Sequence, residues 1–293
     1  MEERLYHLDR LQKRIDAIIR ERPSHKEILE FLREVMTEQY KVRPKIKTES
    51  GKIGEEEYKG LMEGFPLLNK RDLPLDMASA TILFKRLCKV LSRSKRGSGD
   101  SKSITQALRR KDMDLAELFR QAGAENGEYV STLSKRLGVR EDLLFFLAEN
   151  SIKPILKAYA DELKGNVDQE AWWKGYCPIC GSPPFIAKFL EEGERFLICS
   201  SCSFEWRFMR LTCPFCENED HKALKYFYSE REGKTTRVDV CDKCGRYIKG
   251  VDVQALGGEF IPIVEDLGSL YLDVIAQKEG YEREGTMYRV GVI

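Results

Sequence analysis

Net charge, histidine and long apolar runs are all scarce in this sequence. The 293-residue chain has 49 lysines and arginines against 48 aspartates and glutamates, which gives a formal charge of +1. A protein whose whole surface grips nucleic acid needs a strong basic excess, so that class is excluded and we expect no nucleic-acid partner. No apolar run approaches the roughly 18 to 20 residues that span a bilayer, so we also expect no membrane segment.

Signals for export and for common catalytic sites are missing as well. Residues 1–6 (MEERLY) lack the basic-then-apolar order of a secretory signal, and we therefore expect a cytoplasmic protein. The sequence contains no G-x-x-x-x-G-K-[ST] phosphate loop, no G-x-S-x-G elbow and no H-E-x-x-H metal motif. Its three histidines are scattered, and none has a spacing that competes with the cysteines for a metal. No motif therefore singles out a catalytic residue.

Cysteine is nearly absent from the first half of the chain, where Cys88 stands alone, and is concentrated in the second half. The other eight cysteines form four C-x-x-C pairs: Cys177/Cys180, Cys199/Cys202, Cys213/Cys216 and Cys241/Cys244. In a chain without an export signal, disulfides are disfavoured and metal ligation is the better interpretation. Buried core cysteines or a redox dithiol would not produce four such pairs.

The spacing of the pairs predicts two metal sites. A C-x-x-C pair places two thiolates on one tight turn, and two facing turns complete a tetrahedral S4 shell. Intervals of 18 and 24 residues fit hairpins within a site, and the 10-residue interval fits a link between sites. We therefore predict that the first two pairs bind one ion and the last two a second, with an interleaved cross-brace as the alternative. Tetrahedral thiolate suits Zn²⁺ or iron, and a closed shell has no open position for metal-centred hydrolysis.

Glycine follows the second cysteine of two pairs, as Gly181 and Gly245. There it allows a backbone N–H to turn towards a sulfur. Ser203 and Glu217 occupy the equivalent positions in the other two pairs. We therefore expect those two turns to be less tight.

The two halves of the chain differ in hydrophobic periodicity, which predicts an α+β fold. Apolar residues recur at helical spacing through about residue 165, and Pro154 is predicted to kink or split the last helix. Beyond residue 166, short strand-like runs alternate with turns. The predicted organisation is an N-terminal all-helical domain (1–165) followed by two small rubredoxin-like or zinc-ribbon metal modules (166–211 and 212–293), the second with a closing helix (266–277) and a tail (280–293). Individual helices are predicted at 24–35, 76–92, 103–121, 128–137 and 141–164, and strands at 185–190, 195–199, 204–211, 224–229 and 235–240.

Several residues outside the four pairs have a structural and a functional interpretation. Trp172, Trp173 and Trp206 crowd around the first module, where we predict packing, with an anchor for a partner protein as the alternative. Arg207 either pairs with a carboxylate at the seam between the two modules or faces such a partner. Cys88 lies on the apolar stripe of a predicted helix and is predicted to be a small core residue.

The C-terminal part of the chain resembles the FdhE family of formate dehydrogenase accessory proteins. The similarity runs from about 172 to 285 and includes the motifs GYCPICGSPP (175–184), CSSCSFEWR (199–207), CPFC (213–216), VCDKCGRYIKGVD (240–252) and EDLGSLYLD (265–273). The resemblance implies a helical domain followed by two rubredoxin-like modules, with the eight paired cysteines as metal ligands. It further implies an assembly factor, not an enzyme, that binds the catalytic subunit of formate dehydrogenase during its maturation.

Two other functions are compatible with the same cysteines. A zinc ribbon that binds nucleic acid is one, since Arg207, Arg210, Lys222 and Lys225 lie near the pairs. A rubredoxin-type electron carrier is the other, because iron in an S4 shell transfers single electrons, although a large helical domain is unnecessary for that task. A homodimer is also compatible with the sequence.

Overall fold

The computed structural model describes residues 2–48, 54–94, 97–229 and 234–284. Within these ranges the chain forms ten α-helices and seven strands, which confirms the α+β class. The helices are α1 (Glu2–Glu21), α2 (Lys26–Val42), α3 (Glu55–Met62), α4 (Met77–Leu91), α5 (Ser98–Arg110), α6 (Leu115–Gly123), α7 (Gly127–Leu137), α8 (Glu141–Leu163), α9 (Pro262–Gly268) and α10 (Leu270–Lys278). The strands are β1 (Pro184–Phe189), β2 (Arg195–Cys199), β3 (Glu205–Phe208), β4 (Leu224–Phe227), β5 (Thr236–Cys241), β6 (Arg246–Asp252) and β7 (Glu282–Arg283).

Helix α8 is the centre of a bundle formed by α1 to α8, and α2, α4, α6 and α7 pack against it. It stays helical through Pro154, so the predicted split does not occur. A proline inside a helix leaves the carbonyl four residues earlier without its usual partner. That carbonyl belongs to Asn150, and it accepts a hydrogen bond from Gln39 Nε2 of α2 at 3.0 Å. Tertiary packing thus replaces the hydrogen bond that the proline removes.

Helix boundaries follow local capping at some positions and not at others. Asp76 caps α4 by accepting a hydrogen bond from the Ser79 N–H, as expected for an aspartate before an apolar helix. Ser24 does not cap α2, because residues 23–25 form a 3₁₀ turn and α2 begins only at Lys26. The predicted helix over 103–121 is two helices, which are separated where Lys111 adopts a left-handed φ of 60°.

All seven strands of the described chain belong to one mixed sheet with the order β3-β2-β1-β6-β5-β4, and β7 pairs with β6. The two cysteine-containing halves of the sheet join through parallel pairing of β1 with β6, for example Ile186 beside Lys249. Gly250 lies opposite the ring of Phe189, and a Cβ at this position would come within 2.4 Å of a ring carbon. The sequence analysis missed β6, because Lys249 and Gly250 interrupt its apolar pattern.

A buried ionic network anchors the end of the described chain under β6. Lys249 Nζ lies 2.8 Å from Asp266 Oδ1 and 2.5 Å from Asp273 Oδ2, and all three side chains are fully buried. Arg283 of β7 pairs with the same two carboxylates at 2.5 and 3.1 Å. Two cations thereby neutralise two anions, which makes their burial tolerable. The predicted closing helix is split into α9 and α10 at Ser269, and residues 285–293 of the predicted tail lie outside the described residues.

The N-terminal helices cover the sheet on the side of α9. Leu11, Ile15 and Ile18 of α1 belong to one apolar cluster with Ile186 of β1 and Val264 of α9. The bundle and the sheet therefore share a core. None of the described helices combines the length and the apolar character needed to cross a membrane.

Candidate metal centres

Four cysteines from the first two pairs converge beside the bundle, and we call this cluster site 1. Its members are Cys177, Cys180, Cys199 and Cys202, whose sulfur atoms all lie within 4.8 Å of one another. The closest approaches across the cluster are 3.6 Å between the Cys177 and Cys202 sulfurs and 3.4 Å between those of Cys180 and Cys199. All four side chains are buried.

The last two pairs form an equivalent cluster, site 2, from Cys213, Cys216, Cys241 and Cys244. The sulfurs of Cys213 and Cys244 are 3.7 Å apart, as are those of Cys216 and Cys241. The sequential pairing of the C-x-x-C turns is therefore confirmed, and the interleaved cross-brace is wrong.

The sulfur spacing in both sites fits a tetrahedral ion. A metal–sulfur bond of about 2.3 Å gives an S···S edge of about 3.8 Å in a tetrahedron, whereas a disulfide needs about 2.05 Å. The measured approaches of 3.4 to 3.7 Å agree with the first geometry. Four soft thiolates in this arrangement suit Zn²⁺ or iron, so each cluster could hold one such ion.

The four C-x-x-C turns have a common backbone structure. In each, the first cysteine pairs with the residue five positions later, so that the turn closes a short hairpin. The N–H groups donate from Cys177 to Ser182 O at 3.0 Å, from Cys199 to Phe204 O at 2.9 Å and from Cys213 to Asn218 O at 2.9 Å, and Cys241 pairs with Arg246 between β5 and β6. Such a turn directs two sulfurs to the same side.

The residue after the second cysteine is left-handed in every turn. The φ angles are +74° at Gly181, +58° at Ser203, +54° at Glu217 and +68° at Gly245. Our expectation of looser turns at Ser203 and Glu217 is therefore wrong. A left-handed non-glycine residue costs roughly 1–2 kcal/mol, which the hairpin hydrogen bonds and a bound ion offset.

Hydrogen bonds to sulfur favour the thiolate form that a metal requires. The backbone N–H groups of Ser201 and Cys202 each donate to Cys199 Sγ at 3.4 Å. In site 2, Asn218 Nδ2 donates to Cys241 Sγ at 3.8 Å. The donors at site 1 lie within the turn itself, whereas Asn218 donates from one turn of site 2 to a sulfur of the other.

The thiols of site 1 do not ionise independently. Burial raises the pKa of Cys177 and Cys202. Hydrogen bonds from the neighbouring thiols, first from Cys177, lower the pKa of Cys180. A metal that binds here must displace protons from the raised thiols, so loading weakens as the pH falls.

Two lysines from the helical bundle lie against site 1. Lys70 Nζ donates to Ser182 Oγ at 2.7 Å and also pairs with Glu125. Burial opposes its charge, but Glu125 and the thiolates of Cys180 and Cys199 raise the pKa of Lys70. A divalent ion with four thiolates carries a formal charge of about −2, which a nearby cation stabilises.

Lys153 of α8 lies on another side of the same cluster. Its Nζ donates to Ser200 O at 3.1 Å, within the turn of the second pair. Burial lowers the pKa of Lys153, against the attraction of the thiolates of Cys199 and Cys202. Both lysines therefore lie where a positive charge stabilises an anionic, metal-loaded site 1.

Backbone contacts also join site 1 to the bundle. The N–H groups of Leu67 and Leu68 donate to Pro178 O at 2.9 Å and Ile179 O at 2.7 Å, within the first C-x-x-C turn. Tyr176 Oη donates to Gly64 O at 2.7 Å just before that turn. Displacing this turn would therefore disturb the segment between α3 and α4.

Comparison with known proteins agrees with this arrangement. Two domain models match the chain: FdhE, central domain, over residues 176–210, and FdhE, C-terminal domain, over residues 211–288. Residues 176–288, which contain both cysteine clusters, therefore match domains of the FdhE family. The two matches meet between the cysteine pairs of site 1 and those of site 2.

Relatives named FdhE match part of the chain. An FdhE homologue from Aquifex aeolicus is 37% identical over 163 residues, which cover 54% of this chain and 56% of that protein. An FdhE homologue from Stutzerimonas stutzeri is 33% identical over 113 residues, 37% of this chain and 36% of that protein. Escherichia coli O9:H4 FdhE is 34% identical over 112 residues, 37% of this chain and 35% of that protein. The match thus spans about half, or less, of the length of these relatives.

The structural similarity is more extensive than the sequence similarity. The crystal structure of the FdhE protein from Pseudomonas aeruginosa aligns with a TM-score of 0.68 and 19% sequence identity. The alignment covers 97% of this chain and 96% of that one. The fold of this chain, including its helical bundle, is therefore shared with a solved structure.

The other residues singled out in the sequence are mostly structural. Trp172 and Trp206 are buried, as predicted, whereas Trp173 is 38% exposed. Arg207 lies over the ring of Trp173 and pairs with Glu170 at 2.7 Å. Arg207 thus pairs with a carboxylate, as in the first interpretation, but Glu170 belongs to the first module and not to the seam between the modules. Cys88 is buried in the core of the bundle, as predicted.

The sequence analysis missed Lys70 and Lys153. Both belong to the helical half, more than 40 residues from the cysteines that they approach, and no motif surrounds them. Only the tertiary structure brings them to site 1.

Proposed function

We propose that this protein is an accessory factor for the maturation of formate dehydrogenase, which binds the catalytic subunit of that enzyme in the cytoplasm. The observation that carries the proposal is the presence of two tetra-cysteine sites within the central and C-terminal domains of the FdhE family. In this role the protein presents a shaped surface to its client and does not perform chemistry on it.

Each proposed ion, coordinated by the four cysteines of its site, has a structural role. It joins two turns that have little apolar core of their own, and such modules gain folding free energy from the metal. The closed S4 shell leaves no position for a substrate, in contrast to a catalytic zinc site. We propose zinc for protein purified in air, with iron as the alternative ion.

Recovery of the catalytic subunit tests the proposal directly. The tagged chain, purified under reducing conditions from cells that make formate dehydrogenase, should retain the catalytic subunit, and deletion of the protein should lower formate dehydrogenase activity. The variant Cys88→Ala serves as a control, because Cys88 belongs to neither site. It should behave like the unaltered protein in both the recovery and the activity measurement. Failure of both the recovery and the deletion effect would refute the proposal.

Electron transfer at site 2 is a second candidate, because Cys216 and Cys244 are only partly buried. An iron ion there would lie near the surface, within reach of a redox partner. Anaerobic purification followed by metal analysis and visible spectroscopy tests this function. A colourless protein that contains two zinc ions would exclude it.

Nucleic-acid binding receives less support from the structure. Arg207 pairs with Glu170 at 2.7 Å and with Glu194 at 3.3 Å, and Lys225 pairs with Asp242 at 2.6 Å. Two of the four cations that suggested this function are thus already neutralised. A titration with generic DNA or RNA at low salt should show no salt-dependent binding.

A further inference from the structure

A cavity of about 200 Å³ lies where the helical bundle meets the sheet. Its wall is largely apolar and comes from α2, α8, β1 and the start of α9. The apolar side chains are Met36, Tyr40, Pro154, Phe185, Ile261 and Ile263. None of the eight cysteines lines the cavity, but Lys153 and Ser203 do, so the cavity adjoins site 1 without including its sulfur atoms.

The polar part of the lining has one sign of charge. Arg43, Lys153 and Lys157 line the cavity, and no carboxylate of the described residues does. Asp161, just outside, accepts hydrogen bonds from both Arg43 at 2.8 Å and Lys157 at 2.9 Å. One carboxylate thus serves two cations, and the cavity wall retains an excess of positive charge.

The polar groups of the wall are held in place before any ligand enters. Gln39 Nε2 donates to both Asn150 O at 3.0 Å and Asn150 Oδ1 at 3.2 Å. Lys153 Nζ is held by Ser200 O at 3.1 Å and lies 5.6 Å from the centre of the Phe185 ring. A ligand that binds here would therefore lose little free energy in ordering the site.

We propose that this cavity binds a small organic carboxylate whose apolar body is about the size of a benzene ring. An apolar cavity of about 150 Å³ accommodates benzene, so about 200 Å³ leaves room for one carboxylate beside the ring. The apolar wall contacts the ring, while Arg43 and Lys157 are placed to donate charge-assisted hydrogen bonds to the carboxylate. The position between two layers of the fold is typical of ligand sites.

The proposal is tested on the full-length, zinc-loaded protein with 4-fluorophenylacetate as the probe, followed by ¹⁹F NMR. Saturable binding is expected with a Kd of about 1 mM or tighter. The neutral alcohol 4-fluorobenzyl alcohol should bind on the order of tenfold more weakly, because it lacks the charge. N-acetylphenylalanine, used as a competitor, distinguishes a peptide C-terminus from a free acid as the natural ligand. If it competes more strongly than unlabelled phenylacetate, the ligand is a peptide C-terminus. If it competes more weakly, the ligand is a free acid.

Substitutions locate the binding. Lys157→Gln and, separately, Arg43→Gln should each weaken the probe on the order of tenfold. Lys41→Gln is the matched control, because Lys41 lies on α2, pairs with Glu38 at 2.6 Å and does not line the cavity. Lack of saturation below about 10 mM, equal binding of the alcohol, or unchanged binding to both cavity variants would overturn the proposal. Metal content measured on each variant should stay the same, since no ligand of either ion is altered.

Discussion

Sites 1 and 2 have the same four-cysteine chemistry and the same turn geometry, but they differ in their surroundings. All four cysteines of site 1 are buried and belong to the same apolar cluster as α4 and α8. In site 2, Cys216 and Cys244 are partly exposed. Site 1 also has two lysines and two backbone hydrogen bonds from the helical half.

The difference shows that ligand geometry and structural importance have separate origins. Local turns set the geometry and are repeated four times along the chain. The contribution of each site to the stability of the fold depends on what is packed around it. At site 1 the two cysteine turns pack against the bundle, whereas the turns of site 2 lie between β3 and β4 and between β5 and β6. The following predictions separate these two contributions.

Loss of one ligand should have the largest effect at site 1. We expect Cys180→Ser to abolish metal binding there and to lower stability by more than about 4 kcal/mol, since a buried site linked to the main core is lost. For a chain of this size, a loss of about 4 kcal/mol corresponds to a fall in Tm of about 6 °C. The equivalent Cys216→Ser should lose only the second ion and should cost less than half as much. Metal analysis and thermal unfolding measure both, and equal losses would contradict the comparison.

A chelator should remove the ion of site 2 before the ion of site 1. The partly exposed ligands of site 2 give the chelator access, whereas release from site 1 requires the bundle and sheet to separate. We expect two kinetic phases that differ by at least about tenfold, since local openings are far easier than global ones. A colorimetric chelator follows the release, and the fast phase should be absent in Cys216→Ser. If the slow phase disappears instead, site 2 is not the site that releases its ion quickly, and ligand exposure does not set the release rate.

Removing the charge of Lys70 should weaken metal binding at site 1 and leave metal binding at site 2 unchanged. Lys70→Met should lower metal affinity at that site by about 10- to 100-fold, as is usual for groups that surround a metal site. Lys70→Arg should recover much of this loss. Lys225→Met is the control, because Lys225 is an exposed lysine paired with Asp242 in the second module. Competition with a metal-binding dye measures the affinities, and an unchanged affinity in Lys70→Met would show that the charge is unimportant.

The substitution Cys88→Ala should have the smallest effect on stability. Because Cys88 is buried but belongs to neither site, it shows what burial alone does to a thiol. Burial raises its pKa to about 12 from a usual value near 9. Because the folded state holds this proton more tightly than the unfolded state, its contribution to stability is full below pH 9 and is lost as the pH rises towards 12. At pH 10.5 the unaltered protein should have lost about 1 to 2 kcal/mol more than Cys88→Ala, relative to pH 8. Denaturant unfolding at the two pH values measures the difference, and parallel losses would show that Cys88 ionises freely in the folded protein.

Much of the candidate site could be predicted from the sequence, because a C-x-x-C turn is determined over a few residues. The grouping of Cys177 with Cys202 and of Cys213 with Cys244 followed from intervals that a hairpin can close. The left-handed Ser203 and Glu217 were not predicted, since residue preference disfavours them and the closure of the turn overrides that preference.

The helical half was predictable where caps and apolar stripes coincide, as for α4 with Asp76. Pro154 was misinterpreted because the sequence does not show that Gln39, more than 100 positions away, satisfies the carbonyl that the proline leaves free. The strand β6 was missed for a related reason. Lys249 is an unlikely strand core residue until Asp266 and Asp273 are seen to neutralise it.

The sequence by itself determined the number of cysteine clusters, the cysteines that form each one and the order of helical and strand regions, because these depend on spacing over short stretches of chain. Only the tertiary structure decided that the two modules share one sheet through β1 and β6, that site 1 is buried against the bundle, and that Lys70 and Lys153 lie beside it. Those features arise from contacts between distant segments, whose free energies come from burial and charge pairing that no local pattern encodes.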